Sequence, residues 1–211
     1  LPIMSVLMCF SMLAGIGGNA LAAIQLGEGK LDKVEKTLGN SATLLFAMSA
    51  VVAVSAFVFI DPVLALIGTT PDLWDPTKTF VQIVCALFAF QSLGMGMNNF
   101  LRTAGKQNLA LITAVFGTIM CIVFNLLFVA GFGWGIAGSA WATVVGQFCG
   151  MVPVMLYFTV VKSAPFRLRW KNLVPDFGLC GRIMALGAAS FAMQMAGTVV
   201  NVVFNHVVTL Y

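Results

Sequence analysis

The sequence has few charged residues and a single histidine, His206. Asp, Glu, Lys and Arg make up 9% of the 211 residues, whereas hydrophobic residues make up 60%. Soluble globular domains carry about 25% charged residues, so this composition excludes an ordinary soluble domain. The sequence also lacks the HExxH, GxSxG and P-loop patterns, and one histidine leaves little scope for histidine-based catalysis. We therefore predict that the protein is not an enzyme.

Long apolar runs, separated by short polar connections, occupy most of the chain. A helix needs about 20 apolar residues to cross the hydrocarbon core of a bilayer, and each run is long enough. None of the runs shows the strict alternation of a barrel strand, so helices are the expected spanning form. The predicted fold is an all-α polytopic membrane helix bundle. Its six predicted spanning segments are 1–26, 38–60, 79–101, 109–132, 135–161 and 183–211.

Positive charge is concentrated in every second connection. Ten of the eleven Lys and Arg residues belong to this set, and only Lys78 lies in the other. The positive-inside rule therefore predicts that the connections 27–37, 102–108 and 162–179 are cytoplasmic. We expect these basic loops to contact anionic lipid head groups and not nucleic acid.

The cysteines and glycines in the apolar runs are typical of helix packing and not of a reactive or metal-binding site. The five cysteines are scattered, without CxxC spacing, so no disulfide or metal site is predicted. Gly146 and Gly150 form a GxxxG pattern that allows close approach of another helix. Gly94 and Gly96 lie within the third run, where they suit either packing or a bend of the kind transporters use near binding sites.

Uncharged polar side chains recur at helical spacing in four runs, and no Asp, Glu, Lys or Arg lies in the middle of any run. Two interpretations fit these stripes. They form hydrogen bonds between helices, or they line a cavity for an amphipathic ligand. The candidate cavity residues are Gln91, Asn98, Cys121, Asn125, Thr143, Gln147, Gln194 and Asn201. His206 lies near the end of the last run and is expected to have a structural or incidental role.

Four segments carry a resemblance to a known family. Residues 17–41 (GGNALAAIQLGEGKLDKVEKTLGNS) contain a small-residue helix end, an LGxG turn and a basic helix start. The others are NNFLRTAGKQNLA (98–110), FGWGIAGSAWAT (132–143) and LGAASFAMQMAGTVVN (186–201). In this order and spacing they resemble segments of the multidrug and toxic compound extrusion (MATE) transporters. The resemblance extends over the whole chain but does not specify a substrate.

This resemblance implies that the chain supplies helices 2 to 7 of twelve. Residues 1–161 would then belong to the N-terminal lobe, 162–179 to a cytoplasmic inter-lobe linker, and 180–211 to the truncated first helix of the C-terminal lobe. The implied activity is cation-coupled antiport, which exports amphipathic or cationic organic compounds by alternating access across a bacterial inner membrane. The implied partners are membrane lipids, small organic cations or drugs, and the missing remainder of the chain. The coupling ion would be H⁺ or Na⁺, and no other cofactor is implied.

The sequence also departs from the family pattern. Cys121 and Asn125 stand where one bacterial branch carries Asn and Asp, and Gln194 lies near a position where some members have Glu. The coupling carboxylate of that branch sits on the first helix, which this chain would lack. We expect Gln91, Asn125 and Gln147 to line an N-lobe cavity. A flippase for a lipid-linked saccharide and a non-transporting membrane scaffold remain alternatives.

Overall fold

The computed structural model describes residues 2–58, 60, 71–161, 165–168 and 170–210, and in this part of the chain the regular structure is helical. Side chains at 2–7, 56, 71–73, 76, 170–171, 201–203 and 205–210 are outside that description. The α-helices are α1 (Pro2–Gly27), α2 (Leu31–Val58), α3 (Pro71–Ala86), α4 (Phe88–Thr103), α5 (Gln107–Asn125), α6 (Gly135–Val160) and α7 (Phe177–Leu210). The prediction of an all-α helix bundle is thus confirmed.

Five helices of the described residues are long and apolar enough to cross a membrane, and a bent pair brings the number to six if the pair is one span. The pair consists of Thr77–Ala86 in α3 and Phe88–Thr103 in α4, which meet at an angle of 53°. The sequence predicts one continuous helix here. The break falls at Leu87, and the surrounding residues 80–93 contain no glycine or proline that would signal it.

Several helices start before the apolar run that they contain. α2 begins at Leu31, α3 at Pro71 and α7 at Phe177, although the apolar runs start at residues 38, 79 and 183. Hydropathy marks the part of a helix that crosses the hydrocarbon, whereas a helix can continue through the head-group region. The first turn of α2 carries Asp32, whose charge suits the positive end of the helix dipole.

Glycines end α1 and α4 at the turns that carry basic residues. Gly29 and Gly105 have φ angles of +72° and +73°, a left-handed conformation that side chains disfavour. After α4, the Gly105 N–H donates to the Arg102 carbonyl over 3.0 Å and the Lys106 N–H donates to Leu101 over 3.0 Å. This arrangement satisfies carbonyl groups at the helix end, and it turns the chain sharply into α5.

The buried core lies where α1, α2, α4 and α6 meet. Its largest fully buried side chains include Leu38, Leu45, Phe100 and Phe158. α1 packs against α2, α4 and α7, whereas α6 packs against α3, α4 and α5. Of the five helices long enough to cross a membrane, α5 with the turn that follows it is the least buried. α5 packs against α4 and α6, and its buried residue Thr113 lines a cavity described below.

Small residues bring α5 and α6 close together, as the GxxxG pattern predicts. A Cβ atom built on Gly117 would lie 3.1 Å from the Gly150 Cα, and one built on Gly146 would lie 2.6 Å from the Cys121 Cα. Helices at such short range gain dispersion contacts along their backbones. α6 also continues through Pro153 as an α-helix, although proline removes one backbone hydrogen bond.

The segment between α6 and α7 is bound to α2. Phe166 is buried and stacks on Phe158, with ring centroids 5.7 Å apart. Asn40 of α2 accepts a hydrogen bond of 2.7 Å from the Asp176 N–H, and Thr43 donates one of 2.8 Å to the Leu173 carbonyl. Polar groups on α2 therefore replace water for the backbone of this connection.

At the opposite end of α5, the chain passes through a π-helical turn, Leu126–Gly131. Phe128 stacks on Trp134 with ring centroids 5.5 Å apart, and both contact Phe132. Trp134 is half exposed, as suits an aromatic side chain at a membrane interface. The apolar run 109–132 predicts an uninterrupted α-helix here, so the π-helical turn is a difference from the sequence prediction.

Candidate substrate-binding cavity

A cavity of about 480 Å³ lies between α1, α4, α5 and α6. Small-molecule sites have volumes of about 300–1,000 Å³, so its size suits a drug-sized ligand. Four helices contribute its walls. The lining residues are Met8, Ser11, Met12, Ile16, Gln91, Gly94, Met95, Gly96, Asn98, Asn99, Arg102, Thr113, Ala114, Gly117, Thr118, Gln147, Gly150 and Met151.

One face of α4 supplies a continuous strip of this wall. Gln91, Met95, Asn98 and Arg102 follow one another at intervals of four, three and four residues, and all line the cavity. Residues at this spacing share one side of a helix. The bend at Leu87 lies just before the strip, so α4 and not α3 directs these side chains into the cavity.

Three of the sequence-predicted site residues line the cavity, namely Gln91, Asn98 and Gln147. The Asn98 amide donates to the Ala110 carbonyl over 2.9 Å and to the Thr113 hydroxyl over 3.0 Å, which ties α4 to α5. Within the described part of the chain, no hydrogen bond is found for the Gln91 or Gln147 side chain. Their amides are thus available to a ligand or to water in the cavity.

The other predicted site residues lie outside the lining. Asn125 donates to the Ser139 hydroxyl over 3.3 Å, and Thr143 donates to the Ser139 carbonyl over 2.9 Å. Cys121 packs against Gly146. Asn125 and Cys121 therefore connect or pack α5 and α6, whereas the Thr143 hydroxyl bonds within α6 itself.

Gln194 and Asn201 lie on α7, which contributes no wall to the cavity. The Gln194 carbonyl accepts a hydrogen bond from the Thr198 hydroxyl, and its side chain is half-buried. The side chains of Asn201 and His206 are outside the described residues. Of these α7 residues, Gln194 is described, and it is not among the lining residues that include Gln91, Asn98 and Gln147.

Arg102 and the methionines are cavity residues that the sequence did not predict. The charge pattern places Arg102 in the cytoplasmic turn, although it lies within α4 and lines the cavity. Its spacing of eleven residues from Gln91 and four from Asn98 would have placed it on their face. Met8, Met12, Met95 and Met151 line the same space. Methionine side chains are flexible and polarisable, and they are common where a surface accommodates varied apolar partners.

One ion pair among the described residues lies outside the cavity. Lys30 and Glu28 form an ion pair of 2.7 Å in the turn between α1 and α2. The hydrogen bond from Lys30, followed by its charge, lowers the pKa of the Glu28 carboxyl below its ordinary value. Among the described residues, no group of three or more His, Cys, Asp or Glu side chains is placed to hold a metal ion.

Comparison with known families decides the classification. A family model, MatE, matches residues 1–127, which is more than half of the chain. The chain belongs to the MatE family. Its resemblance to MATE transporters is thereby confirmed, and it is a multi-pass membrane protein of a multidrug efflux transporter family.

Individual MATE relatives agree with this classification. The chain is 22% identical over 211 residues to the "Multidrug export protein MepA" of Staphylococcus haemolyticus, covering 100% of this chain and 46% of that protein. It is 26% identical over 160 residues to the "Probable multidrug resistance protein YoeA" of Bacillus subtilis, covering 74% of this chain and 35% of that protein. The chain therefore spans less than half the length of these two relatives.

A solved MATE structure supports the fold. The inward-facing conformation of a multidrug resistance MATE family transporter of the MOP superfamily aligns with a TM-score of 0.88 at 17% identity. The alignment covers 94% of this chain and 45% of that one. At this identity the likeness establishes a shared helical arrangement.

Proposed function

We propose that the protein is a cation-coupled antiporter that exports amphipathic organic compounds, including organic cations, by alternating access. The observation that carries this proposal is the cavity between α1, α4, α5 and α6. Its walls combine flexible methionines with the amides of Gln91 and Gln147, which form no hydrogen bond to another described residue. Its volume is about 480 Å³. Such a surface suits ligands that have a large apolar part and a few polar groups.

The proposed orientation places the basic connections 27–37, 102–108 and 162–179 on the cytoplasmic side of a bacterial inner membrane. The segment that follows α6 contacts the first half of α2 through Asn40 and Thr43, which supports a common location for two of these connections. Their basic side chains, other than Arg102 in the cavity lining, would then face anionic lipids. The coupling ion would be H⁺ or Na⁺.

A transport assay tests this proposal. Inside-out vesicles that carry the complete gene product are supplied with a fluorescent organic cation, and an imposed proton or sodium gradient is added. We expect gradient-dependent dye accumulation that falls several-fold in Gln147→Ala. Gln107→Ala is the matched control, because Gln107 is exposed at the start of α5 and is not among the lining residues. Dye accumulation that is the same with and without the proton and sodium gradients would refute antiport.

The two alternatives make different predictions. A scaffold would satisfy its polar stripes by interhelical bonds, yet Gln91 and Gln147 lack hydrogen bonds to other described residues. It would show no dye accumulation under any gradient. A flippase for a lipid-linked pyrophosphate would require several basic groups in the cavity, whereas the lining contains one, Arg102. The vesicle assay separates antiport from both, because neither alternative accumulates a soluble dye.

A further inference from the structure

The charge of the cavity is set by one side chain. Of the lining residues, all of which the structure describes, Arg102 carries the only ionised side chain and none is a carboxylate. An arginine remains protonated at every physiological pH. The cavity in this part of the protein therefore has a positive end and no acidic group to attract a cation.

Arg102 is available to a ligand. Its side chain is exposed, and no ion pair between Arg102 and another described residue is found. The nearby Asn98 amide group already donates both of its hydrogen bonds, to Ala110 and Thr113. The guanidinium group thus provides the main supply of uncommitted N–H donors at its end of the cavity. Its planar fork matches the two oxygens of a carboxylate.

The rest of the strip on α4 fixes the shape of a suitable ligand. A rise of about 1.5 Å per residue places Arg102 about 16 Å from Gln91 along the helix axis. Met95 lies between them, and Met12 and Met151 line the same space. An apolar body can pack against these methionines while an acidic group reaches Arg102.

We infer that Arg102 is a specificity-determining residue that binds the oxyanion, foremost a carboxylate, of an amphipathic ligand in this cavity. The inference rests on the proposed function and adds to its substrate class amphiphiles that carry an acidic group, whether anionic or zwitterionic. Since no lining residue is acidic, a carboxylate that pairs with a positively charged group of the ligand must belong to another part of the protein.

A pair of probes tests the inference with the purified complete gene product. One probe is a naphthyl-alkanoate and the other is its methyl ester, which differs in the charge of one group. Binding of each is measured by fluorescence titration to the wild type, Arg102→Gln, Arg102→Lys and Arg182→Gln. Arg182 is the matched control, because it is an exposed arginine of α7 that does not line the cavity.

We expect the wild type to bind the acid about ten-fold more tightly than the ester, as a charge-assisted hydrogen bond would produce. Arg102→Gln should abolish this preference without changing affinity for the ester, Arg102→Lys should retain part of it, and Arg182→Gln should leave it intact. If Arg102→Gln fails to fold, the wild type alone gives a second test. Its preference for the acid over the ester should disappear as the pH falls below the pKa of the probe, because the protonated acid is uncharged like the ester.

Other outcomes separate the inference from the proposed function. Equal binding of acid and ester by the wild type, or equal weakening of both by Arg102→Gln, would overturn the inference. The proposed cavity would still stand if Gln147→Ala weakened both probes. If Gln147→Ala changed neither, the cavity itself would be refuted. Phosphatidylglycerol has a net negative charge, whereas the choline group neutralises the phosphate of phosphatidylcholine. Competition by the first but not the second would identify the phosphate of an anionic lipid as the oxyanion that Arg102 binds.

Discussion

Gly17 of α1 and Gly187 of α7 face each other where the backbones of the two helices cross. A Cβ atom on Gly17 would lie 2.8 Å from the backbone nitrogen of Gly187, and one on Gly187 would lie 2.8 Å from the Leu13 carbonyl carbon. Carbon atoms do not approach backbone so closely, so neither position has room for a side chain. α7 is therefore held to the rest of the bundle by a contact that only glycine permits.

Replacing Gly187 with alanine should separate α1 from α7. Overpacking costs about 1–3 kcal/mol in well-packed sites, and more where the neighbouring atoms are backbone. We expect Gly187→Ala to lower the melting temperature of the purified protein by several degrees. Gly197→Ala is the control on the same helix, because a Cβ atom there meets nothing within 4 Å. An equal decrease in melting temperature in Gly187→Ala and Gly197→Ala would show that α1 and α7 do not cross so tightly.

The two glycines of the GxxxG pattern should respond differently to alanine. A Cβ atom on Gly146 would lie 2.6 Å from the Cys121 Cα, whereas one on Gly150 would lie 3.3 Å from the Gly117 Cα. The second distance requires a shift of only a few tenths of an ångström. Gly146→Ala should therefore lower the melting temperature markedly more than Gly150→Ala. The reverse order would contradict the packing of α5 on α6.

Asn40 should control how firmly the segment before α7 is held. Its side chain accepts from the Asp176 N–H over 2.7 Å and donates to the Lys36 carbonyl over 3.0 Å. Asn40→Ala leaves the Asp176 N–H without this partner, so hydrogen exchange in residues 170–176 should accelerate at least ten-fold. Asn108→Ala, at an exposed position in α5, should leave exchange in that segment unchanged. Equal exchange in the two variants would show that Asn40 does not hold the segment.

Helical periodicity predicted some of the site but not all of it. It places Gln91 and Asn98 on one face of α4, and that face does line the cavity. Asn125 shows the same kind of pattern, yet it bonds to Ser139 across the α5–α6 contact. Periodicity states which residues share a face, whereas the partner of that face depends on tertiary packing. A stripe that lines a cavity and a stripe that bonds two helices together therefore look alike in the sequence.

The limits of hydropathy explain the remaining differences. Hydropathy excludes Arg102 from the site because a charged residue ends an apolar run, although α4 continues to Thr103. The bend at Leu87 was not predicted because no proline or glycine marks it. The existence of several apolar membrane-spanning helices was predictable, since the bilayer imposes their length and composition. Bends within a span depend on neighbouring helices, which a local pattern does not contain.

Gln147 and Asn125 should differ in what they affect, although the sequence placed both in a cavity. Gln147 lines the cavity, and its side chain forms no hydrogen bond to another described residue. Gln147→Ala should therefore weaken binding of an organic dye several-fold and leave the melting temperature unchanged. Asn125 bonds to Ser139 over 3.3 Å, and such interhelical bonds contribute about 0.6 kcal/mol. Asn125→Ala should therefore lower the melting temperature slightly and leave dye affinity unchanged. Fluorescence titration and thermal denaturation of the same samples measure both effects. An equal loss of dye affinity in the two variants would show that the binding region reaches Asn125, beyond the cavity described by its lining residues.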